Sequence, residues 1–180
     1  MGLAKDFEKE KLIVGIIYSD EALLSEALSA LTEEFGDIDA VSPQFSFSKE
    51  FSNYYDDELD GEGLRRIYSF STPVEPQRQA EIKIFTNELE KRLSVGGKRH
   101  VNIDPGLINH GRLLLMTTKP TGFRIPISNG IYTELTLYWA RGEWQKLPWT
   151  YRDYQSDTVK KFITEVRRTY LKQRKDMGTF

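Results

Sequence analysis

Residues 12–36 read LIVGIIYSDEALLSEALSALTEEFG, and they decide the fold. The first seven of them form a continuous apolar, β-branched run, which is typical of a strand buried on both faces. Ser19 then offers a helix N-cap, and apolar residues recur at helical spacing until Gly36. The stretch therefore predicts a buried central strand that runs directly into a helix.

The same reading extends to residue 104. Apolar periodicity predicts a strand around 40–48, a strand over 65–70, a helix from 76 to about 93 and a short strand over 100–104. The acidic, glycine-punctuated residues 49–63 are expected to form a loop, and Pro105-Gly106 is expected to stop the last strand. The resulting order, β-α-β-β-α-β, predicts a ferredoxin-like core, an antiparallel sheet with two helices on one face.

The last third of the chain extends this core. Three strands are expected over 113–118, 123–127 and 131–138, with a hairpin turn at Ser128-Asn129-Gly130 between the last two. A final helix should begin after Ser156. No repeat or linker interrupts the 180 residues, so we expect a single α+β domain over 1–180.

Composition narrows the possible functions. The chain has no cysteine, which excludes disulfides, thiolate metal sites and a cysteine nucleophile, and which fits a cytoplasmic protein. No signal peptide or apolar span is recognisable, so no membrane association is expected. The net charge of −2 argues against a dedicated nucleic-acid binder.

The charges are segregated along the chain. Residues 1–62 hold four lysines against sixteen acidic residues, and the rest of the chain has an excess of bases. Either opposite faces of one fold neutralise each other, or the basic part offers a surface to an anion. The basic face of the final helix could also contact RNA.

Motifs of the major enzyme classes are missing. The sequence has no P-loop, no G-x-G-x-x-G after the first strand and no G-x-S-x-G elbow. Its two histidines, His100 and His110, have no carboxylate at metal-ligand spacing.

Asn102 and Asp104 form the most distinctive polar pair. Strand alternation places both side chains on one face, just before Pro105-Gly106. There a carboxylate and an amide could bind Mg²⁺ or orient a hydroxyl. The alternative is that both side chains bond to the backbone of a turn.

Lys119, Arg124 and Glu134 form a second group. A short turn should bring Lys119 and Arg124 together, as a clamp for an anion requires. Glu134 lies on a half-buried strand and needs a partner, for which Arg124 is the obvious candidate. A structural salt bridge or an exposed cross-strand pair remains the alternative.

Three further groups carry polar or aromatic side chains. Lys83, Asn87 and Glu90 share one helix face, which either is solvated or points into a cleft. Glu58 belongs to an acidic loop that follows two tyrosines, and such loops either are solvated or carry function. Tyr151 lies in an aromatic connection that could stack on a ring or pack on the core.

Together these segments resemble a known family. They are similar to a family of small prokaryotic proteins of unknown function noted for a DPG motif, domain of unknown function 4416. The matching segments are Tyr54-Tyr55 with Glu58, Lys83 with Thr86-Asn87, Asn102-Ile103-Asp104-Pro105-Gly106, Thr118-Lys119 with Arg124-Ile125, Gly130-Ile131-Tyr132 with Glu134-Leu135-Thr136-Leu137, and Trp149-Thr150-Tyr151 with Asp153-Tyr154. Two departures occur, since this chain has Leu59-Asp60-Gly61 after Glu58 where the family pattern has Met-Gly, and Phe123 where it has a histidine. The resemblance implies a compact prokaryotic protein and no particular reaction.

The residues therefore favour a small-molecule site for a phosphorylated, nucleotide-like or carboxylated ligand, with Mg²⁺ as a candidate cofactor. Lys119, Arg124, Asn102, Lys83, Asn87 and Tyr151 are the candidate ligand contacts, and Asp104, Glu134 and Glu58 the candidate metal or proton-transfer groups. Whether the protein is an enzyme is left open. A non-catalytic interaction module, a homodimer or an adaptor, is the alternative, and RNA binding is a third.

Overall fold

A computed structural model gives the fold, and it describes residues 2–54, 56–59 and 61–178. Within these residues nine strands form one antiparallel sheet, so the predicted α+β class is confirmed. The strands are β1 (Lys11–Tyr18), β2 (Ile38–Val41), β3 (Phe45–Ser46), β4 (Leu64–Phe70), β5 (Val101–Ile108), β6 (Arg112–Thr117), β7 (Ile125–Ser128), β8 (Ile131–Ala140) and β9 (Glu143–Lys146). Their order is β2-β4-β1-β5-β6-β8-β7, with β3 beside β4 and β9 beside β8. The sheet is thus much larger than a four-stranded core.

Helices cover both faces of this sheet. They are α1 (Glu21–Phe35), α2 (Phe47–Glu50), α3 (Asp56–Leu59), α4 (Gln79–Arg92) and α5 (Asp157–Asp176). α1 and α4 pack on the face to which β1 turns Leu12, Val14 and Ile16. α5 packs on the opposite face, against Ile13 of β1 and apolar residues of β4, β6 and β8. Because β1 is buried on both sides, it is apolar nearly throughout, as the sequence predicted.

Several local predictions are confirmed. The Asn129-Gly130 turn joins β7 to β8 with positive φ at both residues, as a tight hairpin requires. α5 begins after Ser156, whose hydroxyl accepts a hydrogen bond from the Val159 amide. The N-cap of α1, in contrast, is Asp20 rather than Ser19, because the Asp20 carboxylate accepts from two first-turn amides.

Other local predictions are wrong. Residues 49–63 are not all loop, because α2 ends at Glu50 and α3 forms a further turn of helix over residues 56–59. The strand expected around 40–48 is split into β2 and β3, β7 begins at Ile125 rather than at 123, and β9 was not predicted.

The largest error concerns Pro105-Gly106. The segment does not end a strand, because β5 continues through it to Ile108 and pairs with β1 along its whole length. Asn102 and Asp104 therefore lie inside a strand and cannot bond to the backbone of a turn there. A proline in the middle of a central strand is rare, and the incomplete pairing of the neighbouring strand explains why one is tolerated here.

Candidate ligand-binding site

β5 pairs with its second neighbour, β6, over only part of its length. The pairing covers Gly106–Ile108 and ends at Gly106, opposite Leu115, whereas β1 continues along β5 to Val101. In an antiparallel strand, alternate residues direct their backbone groups to opposite neighbours. The backbone groups of residues 101, 103 and 105 point away from β1, to the side where β6 is not paired. Each of them must therefore bond to another group, unless it has no hydrogen to donate.

Side chains of α4 take the place of the missing strand. The Ile103 amide donates to Glu90 Oε1 over 2.6 Å, and the Ile103 carbonyl accepts from Lys83 Nζ over 2.8 Å. Both side chains are buried. The alternative that this face of the helix is solvated is therefore wrong for Lys83 and Glu90.

Pro105 and Gly106 fit this arrangement for two different reasons. Pro105 has no amide hydrogen and lies two residues beyond Ile103, so its nitrogen points to the side where no β6 partner is available. Gly106 lies where the two strands approach most closely, since a Cβ there would be 2.6 Å from the Leu114 carbonyl oxygen. The pair thus marks the point at which the two strands stop pairing.

A cavity of about 600 Å³ opens at this point, and we call it the β5–β6 cavity. Seven of the nine residues selected from the sequence line it. They are Lys83, Asn87, Asn102, Asp104, Lys119, Glu134 and Tyr151. Residues from α4, β5, β8, the segment after β6 and the connection before α5 thereby meet at one place, although they are far apart in the sequence. The other two do not line it but pair with residues that do, Arg124 with Glu134 and Glu58 with Arg99.

Arg124 is committed to structural contacts. Its Nε donates to Glu134 over 2.8 Å, one terminal nitrogen donates to the Tyr151 hydroxyl over 2.7 Å, and the other donates to the Lys119 carbonyl over 2.7 Å. This is the structural ion pair that the sequence left open as the alternative to an anion clamp. The Lys119 ammonium, in contrast, lies 5.5 Å from the ring centroid of Tyr54 at the cavity.

The three candidate metal ligands are not gathered around one point. Asp104 accepts from Asn102 Nδ2 over 2.7 Å and faces Lys83 Nζ at 3.7 Å. Glu134 is paired with Arg124, and Glu58 with Arg99 at 2.5 Å. In the part of the chain that the structure describes, no group of three His, Asp or Glu side chains is arranged to hold a metal ion.

The floor of the cavity contains residues that were not selected from the sequence. Arg65 of β4 is buried, with one terminal nitrogen 3.0 Å from Asp153 Oδ2 and the other 3.3 Å from the Tyr154 hydroxyl. Its Nε has no hydrogen-bond partner among the described residues. Burial raises the pKa of Asp153, although Arg65 opposes the shift.

Gly15 makes room for this arginine. A Cβ at that position would be 2.6 Å from a terminal nitrogen of Arg65. A glycine inside an apolar strand is a sequence signal for such a close approach, and it could have pointed to the site. Arg65 itself shares a strand face with Ile67 and Ser69, so alternation would have placed its charge on a buried face.

Aromatic side chains form another wall. Phe47, Phe51 and Tyr54 come from α2 and the residues after it, and Tyr151 from the connection before α5. Burial raises the pKa of Tyr151 to about 12, so the phenol stays protonated at neutral pH. Trp149 of the same connection packs flat on Phe123 with ring centroids 4.8 Å apart. This ring therefore packs against the protein itself.

The ionised groups of the wall leave an excess of positive charge. Its cations are Arg65, Lys83, Arg99, Lys119 and Arg152, and its carboxylates are Asp104, Glu134 and Asp153. Each carboxylate already has a cationic partner. Lys119 and Arg152 form no ion pair within the described residues, so they are the cations that a ligand could neutralise.

The model of a family described as a domain of unknown function (DUF4416) matches residues 8–170. Tyr55 and Asp60, which belong to the segments of the resemblance or of its departures, lie outside the described residues. Neither the curated proteins nor the solved structures gave a match.

Proposed function

The chain belongs to this family, domain of unknown function 4416, and we propose that it binds a small phosphorylated, nucleotide-like or carboxylated ligand in the β5–β6 cavity. The observation that carries the proposal is the excess of cationic side chains around a concave site that also has an aromatic wall. Such a combination suits a ligand with one anionic group and one apolar or ring-shaped part.

The size of the cavity supports a small molecule. About 600 Å³ lies within the range of roughly 300–1,000 Å³ that is usual for ligand pockets. Lys119 and the Tyr54 ring line the cavity together with Asn87, Asn102 and Asp104, and all five would contact the ligand. The amide and carboxylate groups could accept hydrogen bonds from hydroxyls of the ligand, which would provide specificity.

Thermal unfolding with a ligand panel tests the proposal. The panel contains nucleotides, sugar phosphates and small carboxylates, each with and without Mg²⁺. A ligand at 100 times its dissociation constant should stabilise the fold by about 2.7 kcal/mol, which raises the midpoint by several degrees. Mg²⁺ dependence would show whether a metal enters with the ligand.

Two variants and a matched control localise the binding. Lys119→Gln should strongly reduce the shift in midpoint because it removes a cation available to the anionic group of the ligand, and Asp104→Ala should do so because it removes an acceptor for the ligand's hydroxyls. Lys91→Gln removes a charge from the exposed side of α4 and should leave the shift unchanged. A shift that survives both cavity variants, or no shift with any member of the panel, would count against the site.

A homodimer is the second candidate, and the edge strand β7 favours it. All four of its residues are exposed, and Ile125 is 59% exposed. An open apolar edge can pair with the same edge of a second copy. Light scattering at micromolar concentration should then show a dimer that Ile125→Lys dissociates and Val41→Lys, on the exposed opposite edge, does not. A monomer at both low and physiological salt would remove this candidate.

We also propose a ferredoxin-like core within one domain, in a cytoplasmic protein. The strand order β2-β4-β1-β5, with α1 and α4 on one face, supports the core, and β6 to β9 extend it. Coincident unfolding transitions measured by fluorescence and by circular dichroism are expected for a single domain. The lack of cysteine favours the cytoplasm, which localisation of a tagged protein would test.

A further inference from the structure

A second concave site lies on the opposite face of the sheet from α4. It is a groove of about 330 Å³ between α5 and the β8–β9 hairpin, and we call it the α5 groove. Its residues are Trp139, Gly142, Glu143 and Trp144 from the hairpin, and Asp157, Lys160, Lys161, Thr164, Arg167 and Arg168 from α5. It shares no residue with the β5–β6 cavity.

The cations of the groove follow the helical repeat. Lys160, Thr164 and Arg167 are spaced by four and three residues, so they lie along one face of α5. Lys161 and Arg168 flank this line, which gives the groove four cationic side chains against Glu143 and Asp157. Two turns of helix therefore present four positive charges toward the hairpin.

Arg167 is the centre of this charge. Its guanidinium carbon lies 4.0 Å from the ring centroid of Trp139, and its Nε donates to the His110 carbonyl over 2.8 Å. Burial lowers the pKa of Arg167. Among the residues that the structure describes, no carboxylate is paired with this partly buried charge.

The neighbouring cations are also available to a ligand. Within residues 2–54, 56–59 and 61–178, neither lysine of the groove forms an ion pair, and Arg168 pairs only with the exposed Glu165. An exposed pair of this kind contributes little and gives way easily to a stronger anion. Three or four charge-assisted hydrogen bonds could thus converge on one compact anion.

We propose that the α5 groove binds a compact diphosphate group, either as free pyrophosphate or as the diphosphate of a nucleotide. Two phosphoryl groups carry enough charge to engage the four cations at once. Glu143 and Asp157 in the wall reduce the excess of positive charge in the groove, which suits one compact anion better than the many phosphates of a nucleic-acid strand. The Trp139 ring limits the width of the groove beside Arg167.

Titration of the full chain with inorganic pyrophosphate tests the proposal, with calorimetry and tryptophan fluorescence as readouts. Binding should be saturable and should change the tryptophan emission, because Trp139 and Trp144 both line the groove, and Trp139→Phe should reduce that change. Lys160→Gln and Lys161→Gln should each weaken binding about tenfold, because each removes a charge-assisted contact.

Two control variants test whether binding is confined to this groove. Lys172→Gln removes the same charge from an exposed position of α5 outside the groove and should leave the affinity unchanged. Lys91→Gln, on the exposed side of α4, should also leave it unchanged, whereas loss of pyrophosphate binding in Lys119→Gln instead would place the binding in the β5–β6 cavity and overturn the proposal. Equal weakening by Lys172→Gln and Lys160→Gln would overturn the proposal, because it would indicate general electrostatic attraction.

The source of the diphosphate is decided by a second titration with ADP. If ADP binds more tightly than pyrophosphate and remains sensitive to Lys160→Gln, the groove takes the diphosphate of a nucleotide; otherwise it takes the free anion. Absence of saturable binding by both compounds would refute the inference. So would a short single-stranded RNA that binds more tightly than either compound and loses affinity in Lys160→Gln.

Discussion

The two halves of β5 have the same partner on one side and different partners on the other. Leu107 and Ile108 pair with β1 and β6, are apolar and are fully buried in the core. Residues 102–104 pair with β1 alone, and Ile103 is bonded instead to Lys83 and Glu90. A sheet can therefore replace a neighbouring strand by helix side chains, although a lysine and a glutamate must then be buried.

This difference explains where the polar groups of the cavity lie. Where two strands flank β5, no space remains for a ligand, and Gly106 has no room even for a methyl group. Where one strand is missing, the backbone bonds are made at the edge by long side chains and the adjacent face stays open. Asn102 and Asp104 can then project into the cavity without leaving the strand unsatisfied.

Gly106→Ala should have the largest effect on the free energy of unfolding, because it acts at the boundary between the two halves of β5. The added Cβ would lie 2.6 Å from the backbone oxygen of Leu114, and neither strand can move freely. We expect a loss of about 3 kcal/mol in the free energy of unfolding, measured by urea denaturation.

Gly111→Ala is the matched control for that change. It lies in the turn between β5 and β6, and the nearest atom to its added Cβ is 4.0 Å away. It should alter stability by no more than about 0.5 kcal/mol. Similar losses for both variants would mean that the close approach of the strands at Gly106 is not what limits this position.

Lys83→Met should have an intermediate effect on stability, because it removes a bond only in the half of β5 that does not pair with β6. Methionine preserves most of the buried volume but leaves the Ile103 carbonyl without its donor. The expected cost is about 2 kcal/mol in the free energy of unfolding. Lys91→Met on the exposed side of α4 should cost almost nothing, and an equal cost for both would contradict the role of Lys83.

Glu90→Gln should have the smallest effect, and it should depend on pH. Burial raises the pKa of Glu90 above its ordinary value of 4.5, so the folded protein holds this proton more tightly than the unfolded chain. The stabilisation that the protonated Glu90 provides is complete at a pH below its ordinary pKa and is lost as the pH rises through the raised pKa. The stability of the wild type relative to Glu90→Gln should therefore increase as the pH falls.

Urea denaturation of both proteins across the acid range measures this difference. A relative stability that stays constant, or that decreases toward acid pH, would show that Glu90 does not carry a raised pKa in the fold. Because the variant differs only at this carboxyl, the titration of other groups largely cancels in the comparison.

The sequence predicted what depends on local patterns and missed what depends on a neighbour. β1, α1, β4 and α5 were correctly predicted, because their apolar periods are long and their caps or turns are distinctive. Pro105-Gly106 was misread because both residues usually end a strand. Only the position of β6 shows that a proline can be accommodated there.

The same distinction between local patterns and neighbouring elements holds for the residues around the cavity. Helical spacing grouped Lys83 with Asn87, and strand alternation grouped Asn102 with Asp104, since both are local relations. Arg65, Arg99 and Asp153 were missed as site residues because their importance comes from contacts with side chains of other elements. Arg124 was selected and Glu134 was named as its partner, but its bonds to Tyr151 and to the Lys119 carbonyl can be identified only in the fold.

Pro105 affects how much binding free energy a ligand would spend on opening the β5–β6 cavity. Many pockets close when empty and must be reopened by their ligand, which lowers the observed affinity. Here β5 and β6 cannot extend their pairing into the cavity, because Pro105 has no hydrogen to donate and the Ile103 groups are already occupied. The cavity is therefore preorganised, and a ligand would use none of its binding energy to separate the two strands.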